Sequence, residues 1–222
     1  MRSRHWIVAS LLSAALAAGL VVWQPWKPSL KNFGTVTQGK IYRMGRTTPA
    51  GLERLVREKQ IKTVIDFGSD PEGTPEDTRE AETCRALGVD RVVLRLEGDG
   101  TGDPNRYVEA LRVMTDPSRQ PVLVHCGAGS QRTGAATILY RHFIEGKPIL
   151  EVYPEAWEYR HKPGKDWRML AYLADWSDEI GEAFREGGKI VGPNEVVRAE
   201  QPEPNAEGEG KSEEIAQGNG AQ

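Results

Sequence analysis

The sequence holds only two cysteines, Cys84 and Cys126, and neither belongs to a Cys-x-x-Cys pair. That spacing excludes a zinc ribbon, a dithiol redox centre and a disulfide-stapled scaffold. A bond between Cys84 and Cys126 is the one disulfide the chain can form, and it would silence Cys126. Basic charge is not in surplus either: 29 Lys and Arg against 32 Asp and Glu leave a formal net charge of -3. A general nucleic-acid binder is thereby excluded, because affinity for a phosphate backbone needs clustered cations. Internal repeats are absent. His142 and His161 lack neighbours at metal-ligand spacing, so no metal and no other cofactor is expected.

What is present suits one well-filled domain with tails: 222 residues, of which 38% are hydrophobic. Residues 1–24 carry Arg2 and Arg4 ahead of an apolar run from Trp6 to Val22, with Trp23 and Trp26 behind it. This reads as a secretory signal peptide or a membrane anchor. Ala15-Leu16-Ala17 offers a cleavage site, whereas the length of the run and the interfacial tryptophans favour the anchor. The expected location is the cell envelope, with the folded part outside the cytoplasm. Residues 25–39 read as a linker, 40–190 as the domain, and 191–222, dominated by Glu, Pro, Gly, Asn and Gln, as a disordered acidic tail. The protein is expected to be monomeric.

Within the domain, four β-rich runs are expected as strands: 40–43, 63–67, 91–96 and 121–125. Helices are expected over 48–60, 76–87, 105–114, from 135 onward, 149–159 and 167–184. Strands alternating with helices at short separations imply an α/β fold, a central mostly parallel sheet flanked by helices. Such a sheet places its ligand at the carboxyl end of a central strand. The strand in question is Val122-Leu123-Val124-His125, which delivers Cys126.

After Cys126 come Gly127-Ala128-Gly129-Ser130-Gln131 and then Arg132-Thr133-Gly134 at a helix start. A cysteine attacks as thiolate, and a helix N-terminus and a nearby cation both lower its pKa. Residues Gly127 to Arg132 can turn successive N–H groups toward one anion, with glycine easing the dihedrals. The Arg132 fork matches two phosphate oxygens. Thr133 is placed to donate its hydroxyl to the sulfur. His125 ends an apolar strand and reads as a buried ring that fixes the loop.

With Val122-Leu123-Val124-His125 ahead of Cys126 and Arg132-Thr133-Gly134 six residues behind it, the chain resembles the protein tyrosine and dual-specificity phosphatase superfamily. Ile41-Tyr42-Arg43 and Ile61-Lys62-Thr63-Val64-Ile65-Asp66 resemble the opening segments of its bacterial dual-specificity-like branch. The resemblance spans residues 40–176 and implies a cysteine-phosphatase fold and metal-independent, two-step hydrolysis of phosphate monoesters. The substrate it implies is a phosphotyrosine or phosphoserine/threonine protein, or a small phosphomonoester. Gln131 stands where the branch often has an acidic residue, and the loop has no lysine, which disfavours highly charged inositol phosphates.

In that family an aspartate on a loop before the cysteine strand protonates the leaving oxygen. Asp99, between Gly98 and Gly100, is favoured; Asp103, ahead of Pro104, is the alternative and equally suits a helix cap. Two competing functions share the loop: a phosphate-binding pseudophosphatase and a rhodanese-like sulfurtransferase. Cys84 reads as core.

Overall fold

The computed structural model describes residues 30–192 and 195–197. The proposed anchor or signal segment and the tail beyond 197 lie outside the described residues. Among the described residues, no helix is long and apolar enough to cross a membrane.

Five strands form one mixed sheet: β1 (Gly34–Thr37), β2 (Ile41–Gly45), β3 (Thr63–Asp66), β4 (Asp90–Val93) and β5 (Val122–Cys126), in the order β1-β2-β5-β3-β4. Strands β2, β5, β3 and β4 run parallel, and only the edge strand β1 is antiparallel. Strand β5 therefore sits in the middle, with Cys126 level with Gly45 of β2 and His125 level with Asp66 of β3. Gly34–Thr37 falls in the stretch assigned as linker. Its Val36 is buried, and one buried residue in four gave no alternation strong enough to mark a strand.

Period-two alternation sorts β5 between the two faces. Leu123 joins Tyr42, Met44, Val64 and Cys84 on the face covered by α1 (Pro49–Lys59) and α2 (Pro75–Ala86). Val122, Val124 and Cys126 join Ile41, Ile65, Tyr107, Leu139 and Leu173 on the other face. That face is covered by α3 (Asn105–Thr115), α4 (Gln131–Glu145) and α7 (Arg168–Glu186). Both thiols are free and buried, and each belongs to a different core, so the Cys84–Cys126 disulfide is not formed.

Three boundaries differ from expectation. The helix expected over 149–159 breaks into α5 (Ile149–Val152) and α6 (Glu155–Glu158), because Pro154 lacks an N–H and its ring collides with the preceding turn. Strand β4 ends at Val93 rather than Leu96, and Arg95 turns to donate to the Asp70 carbonyl, 2.8 Å. The stretch opening the tail pairs in a hairpin, β6 (Lys189–Gly192) with β7 (Glu195–Val197). It is fastened to α3 by Asn105, which donates to the Ile190 carbonyl at 2.9 Å and accepts from the Ile190 N–H at 2.9 Å.

Candidate active site

The loop after β5 is built so that its carbonyls face away from the sulfur. Lys31 Nζ donates to Gly127 O at 3.0 Å, and the Arg46 N–H reaches the same oxygen at 3.3 Å. Asn32 Nδ2 donates to Ala128 O at 2.8 Å, and Arg43 Nη2 to Gly129 O at 2.8 Å. In a trans peptide the C=O and the following N–H point in opposite directions. Three outward carbonyls thus turn the N–H groups of Ala128, Gly129 and Ser130 inward. One inward bond is already made: Gly129 N–H donates to Cys126 Sγ at 3.2 Å.

Helix α4 starts at Gln131, earlier than expected, so Arg132 and Thr133 lie in its first turn. Helical side chains tilt back toward the N-terminus, which brings the Arg132 head over the loop. Its Nη1 donates to the carbonyls of Phe67, 2.8 Å, and Gly68. Those bonds fix the guanidinium plane. Arg132 Nε and Ser130 Oγ are buried without a partner among the described residues. Buried donors of this kind cost free energy unless something accepts from them, and an oxyanion is the acceptor such a loop suits.

Cys126 is 1% exposed. Burial raises a thiol pKa, but the Thr133 hydroxyl, the Arg132 charge and the N–H groups of Thr133 and Gly129 outweigh it, holding the thiol below its ordinary range. On the opposite face, Cys84 has no such donors, and burial beside Glu80 pushes its thiol up to about 12. The two cysteines differ in chemistry because they differ in surroundings.

His125 anchors the strand end from the far face. Its Nε2 lies 3.1 Å from Glu80 Oε1 and 3.9 Å from Asp66 Oδ1. Arg91 completes the cluster, with contacts of 2.6 Å to Asp66, 2.7 Å to Asp77 and 3.0 Å to Glu80. Asp66, Glu80 and His125 each bring one metal-ligand atom within 4.8 Å of the others, yet the Arg91 guanidinium already balances those carboxylates. Burial works against the imidazolium, but Glu80 and Asp66 more than compensate and lift His125 to about 9. A group raised from an unfolded value of about 6.5 contributes its full stability below that pH and loses it as pH climbs through about 9. We expect the melting temperature to fall from pH 7 to pH 10, and Glu80→Gln to flatten that fall. Melting curves with the same slope in both proteins would remove His125 from this role.

The sequence-favoured acid sits on a neighbouring loop. A Cβ on Gly100 would lie 3.4 Å from Gln131 C, so this loop packs directly on the start of α4. Tyr107 on α3 donates to Gly100 O at 2.6 Å and Tyr172 on α7 to Gly102 O at 3.0 Å. Burial pushes the Tyr107 hydroxyl well above its ordinary range, and the charges of Cys126, Arg132 and Asp99 also act on it. Asp99 accepts from the Thr101 N–H at 3.1 Å and hydroxyl at 2.7 Å, and pairs with Arg168 at 3.3 Å. Partial burial opposes ionisation, but these donors keep the carboxyl below its usual range. Asp103 instead accepts from Asn105 N–H and Nδ2, both at 3.0 Å, and opens α3. Sequence reasoning missed Lys31, Asn32, Arg43, Tyr107 and Arg168; only Arg43 carried a signal, as a charged residue inside an apolar strand.

Residues 21–168 match the family described as a DSP-PTPase phosphatase fused to NAD+ kinase. Inositol diphosphatase DSP3 of Arabidopsis thaliana is 28% identical over 145 residues, which are 62% of this chain and 65% of that protein. Inositol diphosphatase DSP4 of the same plant is 32% identical over 105 residues, 46% of this chain and 51% of that protein. The chain thus spans between half and two thirds of these relatives' length. Among solved structures, Pseudomonas aeruginosa TpbA bound to phosphotyrosine superposes with a TM-score of 0.58 at 20% identity, covering 74% of this chain and 99% of that one. The catalytic core of the PP-IP phosphatase Siw14 from S. cerevisiae gives 0.56 at 19% identity, covering 71% and 94%. At such identities these two establish the fold.

Proposed function

The chain belongs to the dual-specificity phosphatase superfamily, and from that premise we propose that it hydrolyses phosphate monoesters through a phosphocysteine on Cys126. The observation that carries the reading is the loop's inward N–H groups around a buried sulfur whose pKa is lowered. The thiolate attacks phosphorus in line, forming the P–S bond as the P–O ester bond breaks. The proton on Asp99 passes to the leaving oxygen. The N–H groups of Ala128, Gly129 and Ser130, with Arg132 Nε, stabilise the charge on the equatorial oxygens. Water then attacks the phosphocysteine, Asp99 takes its proton, inorganic phosphate departs, and Cys126 leaves as thiolate with Thr133 donating to it.

The pairing of the neighbouring arginines supports a substrate of modest charge. Arg46 is paired with Asp70, Arg95 contacts Asp77 and the Asp70 carbonyl, and Arg168 is paired with Asp99. A ligand with several further phosphates would have to break those pairs. A phosphotyrosine or phosphoserine/threonine residue, or a small phosphomonoester, makes no such demand.

The purified chain under reducing conditions is expected to hydrolyse p-nitrophenyl phosphate with inhibition by vanadate. Hydrolysis that is absent, or indifferent to alkylation of Cys126, would overturn the reading. A phosphate-binding module would bind vanadate without turnover, and a sulfurtransferase would consume thiosulfate instead. Relative rates on phosphotyrosine peptide, phosphoserine peptide and inositol diphosphates then rank the substrates.

The acid is assigned by a paired substitution. Asp99→Asn is expected to lower kcat on an alkyl phosphate by about a hundredfold or more, and less on p-nitrophenyl phosphate, whose leaving group needs little protonation. Asp103→Asn keeps an oxygen to accept from the Asn105 N–H, since Asn and Asp make such turns alike, and stays within about threefold. The reverse ranking would hand the role to Asp103. Ionised Cys126 and protonated Asp99 are needed together, and both groups are held below their ordinary ranges, so kcat/KM is expected to peak on the acid side of neutrality and to fall as Asp99 ionises.

A further inference from the structure

Arg43 lies in the interior with 1% of its surface exposed, among apolar residues of β2. Among the described residues its one hydrogen bond goes to Gly129 O. Its guanidinium sits over the Tyr159 ring, 3.6 Å from the centroid, and its Nε has no partner among the described residues. A buried cation so thinly satisfied is a stability cost that an apolar residue of similar volume would avoid. Its placement makes sense for the loop, not for the core. Burial pulls its pKa down to about 10 although Tyr159, Glu155 and Cys126 favour the cation, so the side chain still carries its charge at neutral pH.

Tyr159 also ties Arg43 to Asn32. The Asn32 Nδ2 that holds Ala128 O lies 3.2 Å from the Tyr159 carbonyl. By the peptide-plane argument, Asn32 fixes the unit carrying Gly129 N–H, and Arg43 fixes the unit carrying Ser130 N–H. We propose that Arg43 and Asn32, joined through Tyr159, are positioning residues that hold the loop amides on the Cys126 sulfur and the phosphate. The inference deepens the phosphatase reading and rests on Cys126 being the nucleophile. Arg43 adds a positive charge beneath the loop that bare hydrogen bonding would not supply.

The test measures the pH midpoint of Cys126 alkylation by iodoacetamide, read by mass spectrometry, together with kcat/KM on p-nitrophenyl phosphate and the melting temperature. Two variants of the full chain are compared with the native protein. Asn32→Gly removes the side chain without strain, because Asn32 has φ 49°, which glycine adopts freely. Arg43→Met keeps the volume and removes the charge. Arg132 and Thr133, which act directly on the sulfur, and His125 and Tyr107, whose titration feels its charge, are unchanged in both.

Both midpoints are expected to rise, Arg43→Met the more, with kcat/KM falling about a hundredfold there and about threefold to tenfold in Asn32→Gly. A fall in kcat/KM with an unmoved midpoint would give both residues a packing role and overturn the proposal. Should Arg43→Met fail to fold, Asn32→Gly decides: an unmoved midpoint overturns it. Alkylation does not require turnover. A native protein that fails to hydrolyse the ester while the midpoints still shift would reject the phosphatase reading and leave the positioning intact.

Discussion

Cys126→Ser is expected to lower phosphate-ester hydrolysis by about 10^5-fold or more, with the fold retained. The loop lowers the pKa of a thiol by means of the Thr133 hydroxyl, the Arg132 charge and two N–H groups, all working against burial. The same help leaves a serine hydroxyl un-ionised, because its starting pKa lies far higher, so the variant has no nucleophile. The oxygen is smaller than sulfur and still accepts from Gly129 N–H, so the cavity it leaves is slight. A depressed pKa adds stability above the unfolded thiol value of about 8.5 and loses it as pH falls through the folded one. The difference in melting temperature between the two proteins is therefore expected to widen from acid to alkaline pH. Hydrolysis within tenfold of native in Cys126→Ser would move the nucleophile elsewhere.

Gly129→Ala is expected to cost nearly as much for a different reason. Gly129 has φ 70°, a conformation that an L side chain enters at a cost of about 1 kcal/mol or more. Worse, its Cβ would stand 2.4 Å from Gly45 N and 2.5 Å from Met44 C. Those atoms are backbone of the interior strand β2 and cannot swing aside. The loop would have to lift off the sheet, breaking the Arg43 bond to Gly129 O and the Gly129 bond to sulfur together. We expect a loss of about a thousandfold in kcat/KM and about 2 to 4 kcal/mol in stability. Gly98→Ala is the control, since nothing lies within 4 Å of its Cβ. Native kcat/KM in Gly129→Ala would show that the loop does not use this geometry.

The placement of Cys126 and Arg132 and the strand feeding them were legible because each leaves a local signature: β-branched apolar residues, a glycine loop, a helix start. The turn that Asp103 makes with the Asn105 N–H also follows from local rules, since an aspartate two residues ahead of a helix start commonly accepts from it. Contacts between distant segments left no such trace. Lys31 and Asn32 stand 96 residues before the carbonyls they hold, and nothing near them in the chain announces a partner. Tyr107 looks like any core residue on an amphipathic helix until its hydroxyl meets Gly100 O. Strand β1 escaped because an edge strand with one buried position carries little pattern, and the α5–α6 break followed from a proline that the helical periodicity outweighed.

The placement of the two cysteines on opposite faces of the sheet has a consequence for oxidative damage. Peroxide acts on thiolates in preference to thiols, so Cys126 is the residue it would oxidise, to the sulfenic acid. Many redox-poised cysteines are rescued from that state by a resolving thiol close by. Here the only other sulfhydryl in the chain is Cys84, protonated and screened by β5 and its neighbours. Recovery from the sulfenic state therefore depends on a thiol supplied from outside the molecule, and each encounter with peroxide in its absence moves Cys126 toward the irreversible sulfinic form.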